Sequence, residues 1–253
     1  MTAISVVIIT FNESLNIERC IRSVLPIADE IVVVDSFSTD DTLSIAKTLG
    51  AKVFSHPFEG HIQQKNYAIG LASYKHILSL DADEWIEPQL VSEIALIKEN
   101  FKADGYVFNR LNNYCGQWIK HGAWYPDKKL RLWNSEKGSW QGLNPHDEFK
   151  MDVNAVIEYC PLNILHQSYR SLDEHRKQSE YFSSLAANAY FVNNKKSNWL
   201  KIVLSPVIRF IRDYIIKLGF LDGRFGFIIA INTAKEVYKK YLKLKQLQDA
   251  QSL

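Results

Sequence analysis

Three short runs of apolar, mostly β-branched residues constrain this chain most: Ile4–Thr10 (ISVVIIT), Ile31–Val34 (IVVV) and His76–Leu80 (HILSL). None alternates apolar with polar residues as a half-solvated strand does. They read as strands covered on both faces, the pattern of a parallel sheet flanked by helices. After the first run, Ile17, Ile21, Val24 and Leu25 share one helical face, and Asn12 or Ser14 is placed to cap that helix. Ser38-Thr39-Asp40-Asp41-Thr42 offers hydroxyls and carboxylates to the free N–H groups of a second helix, which Gly50 ends. Ala51–Phe54 reads as a short strand, Gln63–Ala72 as a helix, and Pro88 starts another helix that runs to about Glu99. The order βαβαβαβ predicts an α/β fold with a mostly parallel sheet. Ligands of such sheets bind beyond the carboxyl ends of the strands, where Thr10, Asp35 and Asp81 fall.

Composition removes several alternatives. The 253 residues are 47% hydrophobic and 23% charged, which suits one large domain, alone or with a helical extension. Abundant aromatics and a net charge of +2 argue against a disordered chain and against a uniformly basic nucleic-acid binder. Cys20, Cys115 and Cys160 form no CxxC pair, so neither a disulfide framework nor a zinc knuckle is read, and a reducing cytoplasm is expected. Met1-Thr2-Ala3 carries no Lys or Arg, and the first apolar run enters Phe11-Asn12-Glu13 without a small-residue cleavage site, so no secretory signal is expected. The longest apolar stretch, around Phe225–Ala234, falls short of the roughly 18 residues of a membrane-spanning helix.

Charge is unevenly spread. Lys195–Leu253 holds twelve Lys or Arg and four Asp or Glu, whereas residues 1–194 hold eighteen and twenty-four. An acidic body with a basic, apolar C-terminal segment divides the chain into a chemical part and a part that docks to something anionic.

The most informative local feature is the turn Asp81-Ala82-Asp83-Glu84 at the end of a buried strand. Two carboxylates at this spacing reach one hard divalent cation, directly or through water, and such a cation neutralises the charge that builds on a departing phosphate. The same three-residue pattern also occurs by chance in solvated turns. The pieces Val6–Glu13, Val32–Thr42 (VVVDSFSTDDT), Gln64-Lys65-Asn66 and Leu80–Glu84 stand in order and resemble family 2 glycosyltransferases of the GT-A fold. Trp124-Tyr125-Pro126-Asp127, Leu130-Arg131-Leu132, Trp140-Gln141-Gly142, Pro145-His146-Asp147-Glu148 and Leu218–Gly223 are similar to a narrower branch, the bacterial lipopolysaccharide inner-core β-1,4-glucosyltransferases.

The resemblance implies roles. Thr10, Asn12 and Glu13 would line the nucleotide, and Asp35 would accept a hydrogen bond from the uracil N–H. Ser36 stands where the family usually has a second acid. Lys65 would approach the donor diphosphate, or be an exposed helix lysine. Asp81 would touch ribose or sugar, and Asp83 the metal, Mg2+ or Mn2+, with Asp81 sharing that role. An inverting transfer needs a carboxylate to take the acceptor hydroxyl proton; Asp147 is preferred and Glu148 is the alternative. His166, after Ile164-Leu165, reads either as a further metal ligand or as a core histidine. Trp124 and Tyr125 would stack on sugar, and Arg131 would bind an acceptor phosphate or pair with Asp127. The QxxRW motif of processive synthases is missing, which favours transfer of a single sugar.

In the C-terminal segment Ser205-Pro206 reads as a helix start, Val207, Phe210, Ile211, Tyr214, Ile215 and Leu218 as its apolar stripe, and Gly219 as its end. A second helix follows Asp222-Gly223. Apolar stripes flanked by cations suit an anionic bilayer surface, and the alternative is packing on the catalytic domain or on a second copy in a homodimer. The sequence thus predicts a GT-A catalytic domain over 1–194, Rossmann-like, with a nucleotide-sugar half (1–105) and an acceptor half (106–194). Residues 195–253 form a C-terminal amphipathic helical extension that docks on a membrane surface. The function it implies is transfer of one hexose, glucose by expectation, from a UDP-sugar to a heptose of the lipopolysaccharide core, at the cytoplasmic face of the bacterial inner membrane, with no nucleic-acid partner. A nucleotidyltransferase would carry a glycine-rich basic loop where Phe11-Asn12-Glu13-Ser14 stands. A catalytically silent scaffold would have no need of Asp81, Asp83 and Asp147.

Overall fold

The computed structural model describes residues 1–143 and 146–251, without the side chains of Leu143, His146 and Asp147. The chain forms two compact units, 1–110 with 127–166, and 111–126 with 167–253. In chain order the elements are β1 (Ile4–Thr10), α1 (Ile17–Val24), β2 (Glu30–Asp35), α2 (Thr42–Thr48), β3 (Lys52–Ser55), α3 (His61–Gly70), β4 (His76–Asp81), β5 (Glu84–Ile86) and α4 (Pro88–Glu99). They continue with β6 (Gly105–Tyr114), β7 (Gln117–Ile119), β8 (Asp127–Asn134), β9 (Gly138–Leu143), β10 (His146–Met151), β11 (Ile157–Tyr169), α5 (Leu172–Val192), α6 (Trp199–Phe210) and α7 (Gly223–Gln251).

The three runs read as buried strands are β1, β2 and β4. With β3 they pair in parallel, in the order β3-β2-β1-β4. Beyond β4 the sheet continues through β8, β6, β11 and β5, with antiparallel pairing at β4–β8, β6–β8 and β11–β5. The register places Thr10 beside Asp35 and Ile9 beside Asp81, so the three expected ligand-side positions end at one level.

Alternate residues of the central strands feed two cores. Ile4, Val6 and Ile8 pack with Ile17, Ile21 and Val24 of α1 and with Leu90 and Ile94 of α4. Val7, Val32 and Val34 face Ala68 of α3 and the rings of Trp133, Trp140 and Phe149. Full burial of each aliphatic side chain contributes roughly 1.5–3 kcal/mol, so this two-sided covering is what fixes the sheet.

Local signals differ from expectation in places. Neither Asn12 nor Ser14 caps α1; the Glu13 carbonyl accepts the Ile17 N–H instead. The second helix opens as predicted, with Asp40 Oδ1 accepting the Thr42 N–H at 3.1 Å.

In the second unit α7 packs on α5 and α6. Ser171 and Glu174 form a capping box at the start of α5. The boundary expected at 194/195 falls between α5 and α6, both within this unit. Helix α6 begins at Trp199, capped by Asn198, and holds Pro206 in its interior, so Ser205-Pro206 does not start a helix. A π-helical turn, Ile211–Ile216, follows, and Leu218 rather than Gly219 takes the left-handed conformation (φ 58°). Gly219 is needed for space: a Cβ there would lie 2.6 Å from the Asp213 carbonyl oxygen. Among the described residues no helix is long and apolar enough to cross a membrane.

Candidate active site

The loops after β1 and β2 are laced together at the carboxyl edge of the sheet. The Asn12 N–H donates to Ser38 Oγ at 2.7 Å, and Asn12 Oδ1 accepts the Thr39 N–H at 2.9 Å. The Glu13 N–H donates to Thr42 Oγ1 and the Ser14 N–H to Asp40 Oδ2. Asn12 holds φ 55°, a conformation asparagine tolerates better than most residues. Burial pushes the Asp40 carboxyl up, but hydrogen bonds from Thr42 and Ser14 outweigh it and hold its pKa at about 2.

Asp35 is fully buried at the end of β2. Its carboxylate accepts the Ser38 hydroxyl on one oxygen and the Ser38 N–H, at 2.8 Å, on the other. Ser36 is braced by Gln64, whose Nε2 donates to Ser36 Oγ at 3.0 Å while its Oε1 contacts His56 Nδ1 at the same distance. Thr10 Oγ1, at the end of β1, is buried with no hydrogen-bond partner. Phe11 and Phe37 are exposed on the two laced loops. Sequence reasoning gave no role to His56, nor to Gln64, Phe11 and Phe37, although those three stand within the matching pieces.

The acidic turn after β4 sits in a charge network. Asp81 Oδ1 lies 3.3 Å from Lys65 Nζ, and its Oδ2 accepts from Arg131 Nη2 at 3.2 Å. Arg131 Nη2 also donates to Glu84 Oε1 at 2.6 Å, and Glu84 Oε2 accepts the Asp81 N–H. Arg110 reaches Glu84 at 3.4 Å and Asp127 at 2.7 Å. Burial opposes ionisation of Asp81, yet Lys65, Arg131, Arg110 and His166 together hold its carboxyl far below the usual range. Burial also works against Asp127, and Arg110 and Lys129 lower it.

Two expectations are corrected here. Lys65 is not an exposed helix lysine: it is buried and lies 4.3 Å over the Trp140 ring. Arg131 pairs with Asp81 and Glu84, and Arg110 is the partner of Asp127.

Asp83 and His166 meet. His166 Nε2 is 3.2 Å from Asp83 Oδ2, because β11 pairs with β5 and sets His166 opposite Glu84. Asp83 Oδ1 is buried without a hydrogen-bond partner. Among the described residues no three of His, Cys, Asp and Glu form a closed metal cage. An unsatisfied hard oxygen beside an imidazole nevertheless fits an open Mg2+ or Mn2+ site, in which substrate phosphates and water complete the shell. Asp81 Oδ1 also lacks a hydrogen-bond partner, but Lys65 and Arg131 lie 3.3 and 3.2 Å from this carboxylate, so the Asp83 oxygen is the less compensated of the two. Cys20 is no nucleophile for this site: burial and then Glu84, Asp83 and Asp81 push its thiol well up.

Strands β9 and β10 form a hairpin with Asp147 opposite Gly142 and Glu148 opposite Gln141. Glu148 is exposed, and the Asp147 side chain lies outside the described residues. Asn66, next to Lys65, grips this hairpin: its Nδ2 donates to the Trp140 carbonyl at 3.0 Å and its Oδ1 accepts the Trp140 N–H at 3.1 Å. Trp124 is not a free sugar platform. It is half-buried and packs edge-on against Tyr114, 5.5 Å between centroids, beside the core of the second unit.

Loops laced across the carboxyl edge, an acidic turn on a parallel strand and a hairpin carrying further acids belong to a GT-A fold. The family model "Glycosyl transferase family 2" matches residues 5–152, and the chain belongs to that family. A glycosyltransferase of Rickettsia typhi is 33% identical over 98% of this chain and 88% of its own length. The lipopolysaccharide core biosynthesis glycosyltransferase LpsC of Rhizobium meliloti is 25% identical over 94% of this chain and 93% of its own. Among solved structures, residues 1–349 of S. aureus TarS match with a TM-score of 0.50 at 15% identity, covering 98% of this chain and 92% of that one, a likeness of fold.

Proposed function

We propose that this family 2 glycosyltransferase moves a single hexose, glucose, with inversion from a UDP-sugar to a heptose of the lipopolysaccharide core. The observation that carries the reading is a set of three buried oxygens without a hydrogen-bond partner, Thr10 Oγ1 on β1, Asp81 Oδ1 at the end of β4 and Asp83 Oδ1 just beyond it, at the carboxyl edge of the parallel strands. Buried polar atoms are nearly always satisfied, so orphans at the expected ligand edge mark where substrate groups bind.

In this reading the laced loops receive the nucleoside. Asp35 has acceptor capacity beyond its two bonds to Ser38 and takes the uracil N–H, with Phe11 or Phe37 offering an apolar face to the base. Lys65, already cationic beside Asp81, faces the diphosphate. Asp83 and His166 would hold a divalent cation, which supplies charge neutralisation for the departing UDP when bound. Arg131, Arg110 and Glu84 keep Asp81 and its turn in one geometry, so that little reorganisation is needed as charge develops. Asp147 takes the proton of the attacking hydroxyl, and Glu148 is the second candidate on the same hairpin. The R. meliloti relative, by its name a lipopolysaccharide core enzyme, supports the acceptor.

The test is UDP release from a panel of UDP-sugars with Mg2+, Mn2+ or EDTA, comparing wild type with Asp83→Ala and Asp147→Asn. Release from UDP-glucose that needs metal and is lost in both variants supports the reading. Release from a different donor alone replaces the sugar. No release from any donor, with truncated lipopolysaccharide present, overturns the UDP-sugar assignment.

A further inference from the structure

We infer that α6 and the turn after it form a docking face for an anionic lipid bilayer surface. The face is apolar where it meets water. Trp199, Leu200, Val203, Leu204, Val207 and Ile208 are all exposed, Trp199 by 67% and Ile208 by 63%. They recur at steps of three and four, so they lie along one side of the helix. Ile211 and Ile215 extend the stripe into the π-helical turn. The inward side is different: Ile202 and Asp213 are buried, and Phe210 and Tyr214 pack against Phe227. The exposed stripe is therefore not the one expected from Pro206 onward; its strongest part lies before that residue.

A contiguous apolar patch of this size on a chain in water marks an interaction site. Charge decides the occupant. Between Lys195 and Arg224 there are seven Lys or Arg and two acids. Both acids, Asp213 and Asp222, are buried, the first bound by Arg209 and Arg212 and the second by the backbone and ring of His121. Lys195, Lys196, Lys201, Arg212, Lys217 and Arg224 are exposed. What the segment shows to its surroundings is therefore mainly aliphatic side chains, the Trp199 indole, the Phe220 ring and cations, with no exposed acid. A two-fold interface with a second copy would set these cations against themselves. An anionic bilayer takes the aliphatic residues into its acyl boundary, the indole at its interface and the lysines at its headgroups. The inference bears on the lipid acceptor proposed above but does not depend on it.

The experiment is sedimentation of the full chain with vesicles of phosphatidylcholine alone or with phosphatidylglycerol added, without donor or acceptor, so failure of the sugar assignment leaves the readout untouched. Binding to the anionic vesicles is expected, weakened tenfold or more by Leu200→Glu/Leu204→Glu/Ile208→Glu. Weakening by raised salt and by Lys195→Gln/Lys196→Gln/Lys201→Gln is expected as well. Circular dichroism verifies both variants, and the second changes only exposed residues. Equal binding to neutral vesicles, or binding that neither variant alters, overturns the inference. So does a wild type that ignores vesicles, whether monomeric or a dimer by light scattering that the glutamate variant dissociates.

Discussion

Arg131 Nη2 stands 2.6 Å from Glu84 Oε1, and both side chains are closed to water. Such a pair contributes little to net stability but costs much when half of it is removed, since the remaining charge is left buried. Arg131→Met is expected to lower unfolding free energy by about 3–5 kcal/mol. Adding Glu84→Gln to it should restore a substantial part. Urea denaturation of the two single variants and the double variant reads the cycle. Additive losses would show that Arg131 and Glu84 do not act as a pair.

Asp83→Asn keeps the shape of the turn and removes the charge that a metal would use. Donor turnover is expected to fall at least 100-fold, a loss of about 2.7 kcal/mol in transition-state stabilisation. His166→Ala should be milder, about 10–100-fold in metal affinity. Calorimetric titration of UDP with and without Mn2+ checks both, because the metal-linked gain in UDP affinity should vanish in the first variant. A gain that persists there would remove Asp83 from the metal site.

The hairpin acids separate by kinetics. Asp147→Asn is expected to lower kcat by about 10²–10⁴ with donor KM little changed, the signature of a lost general base. Glu148→Gln should leave kcat within a few-fold. The opposite ranking transfers the role to Glu148.

His175 gives the second unit its own pH dependence. Its Nδ1 is hydrogen-bonded with the Tyr114 hydroxyl at 2.7 Å, and its ring stacks on Tyr169 with centroids 4.6 Å apart. Burial lowers its pKa to about 4. The unfolded chain binds a proton at about 6.5, so between these values it holds more protons than the folded one. Stability is fully present above about pH 6.5 and falls as the pH drops towards 4, by up to about 3 kcal/mol. His175→Phe should flatten this slope, measured as unfolding free energy at pH 4.5 and 7. An unchanged slope would mean that other groups govern the acid response.

The parts of the fold read correctly in advance were those that local chemistry decides. Val6 to Ile9, Ile31 to Val34 and Ile77 to Leu80 are too uniformly apolar to be anything but covered strands, and Asp40-Asp41-Thr42 opens a helix wherever it stands. Asp81 and Asp83 were legible because a charged turn on a buried strand is costly without a purpose. What was hidden depends on pairing distant in sequence. Nothing near His166 shows that β11 sets it opposite Glu84, and nothing near Arg131 distinguishes Asp127 from Glu84 as its partner. Pro206 misled because proline in a helix interior is normally unfavourable. Helix α6 nevertheless starts at Trp199, capped by Asn198, and carries Pro206 in its interior, so the apolar stripe begins seven residues before that proline.

The grip of Asn66 on Trp140 has a mechanical consequence. Lys65, which touches Asp81, and Asn66, which holds the hairpin of Asp147 and Glu148, are consecutive on one turn of α3. A shift of α3 along the sheet edge therefore either carries the hairpin with it or breaks the two hydrogen bonds to Trp140. In the proposed reaction, the spacing between Lys65 and the hairpin acids would be carried by that single helical turn.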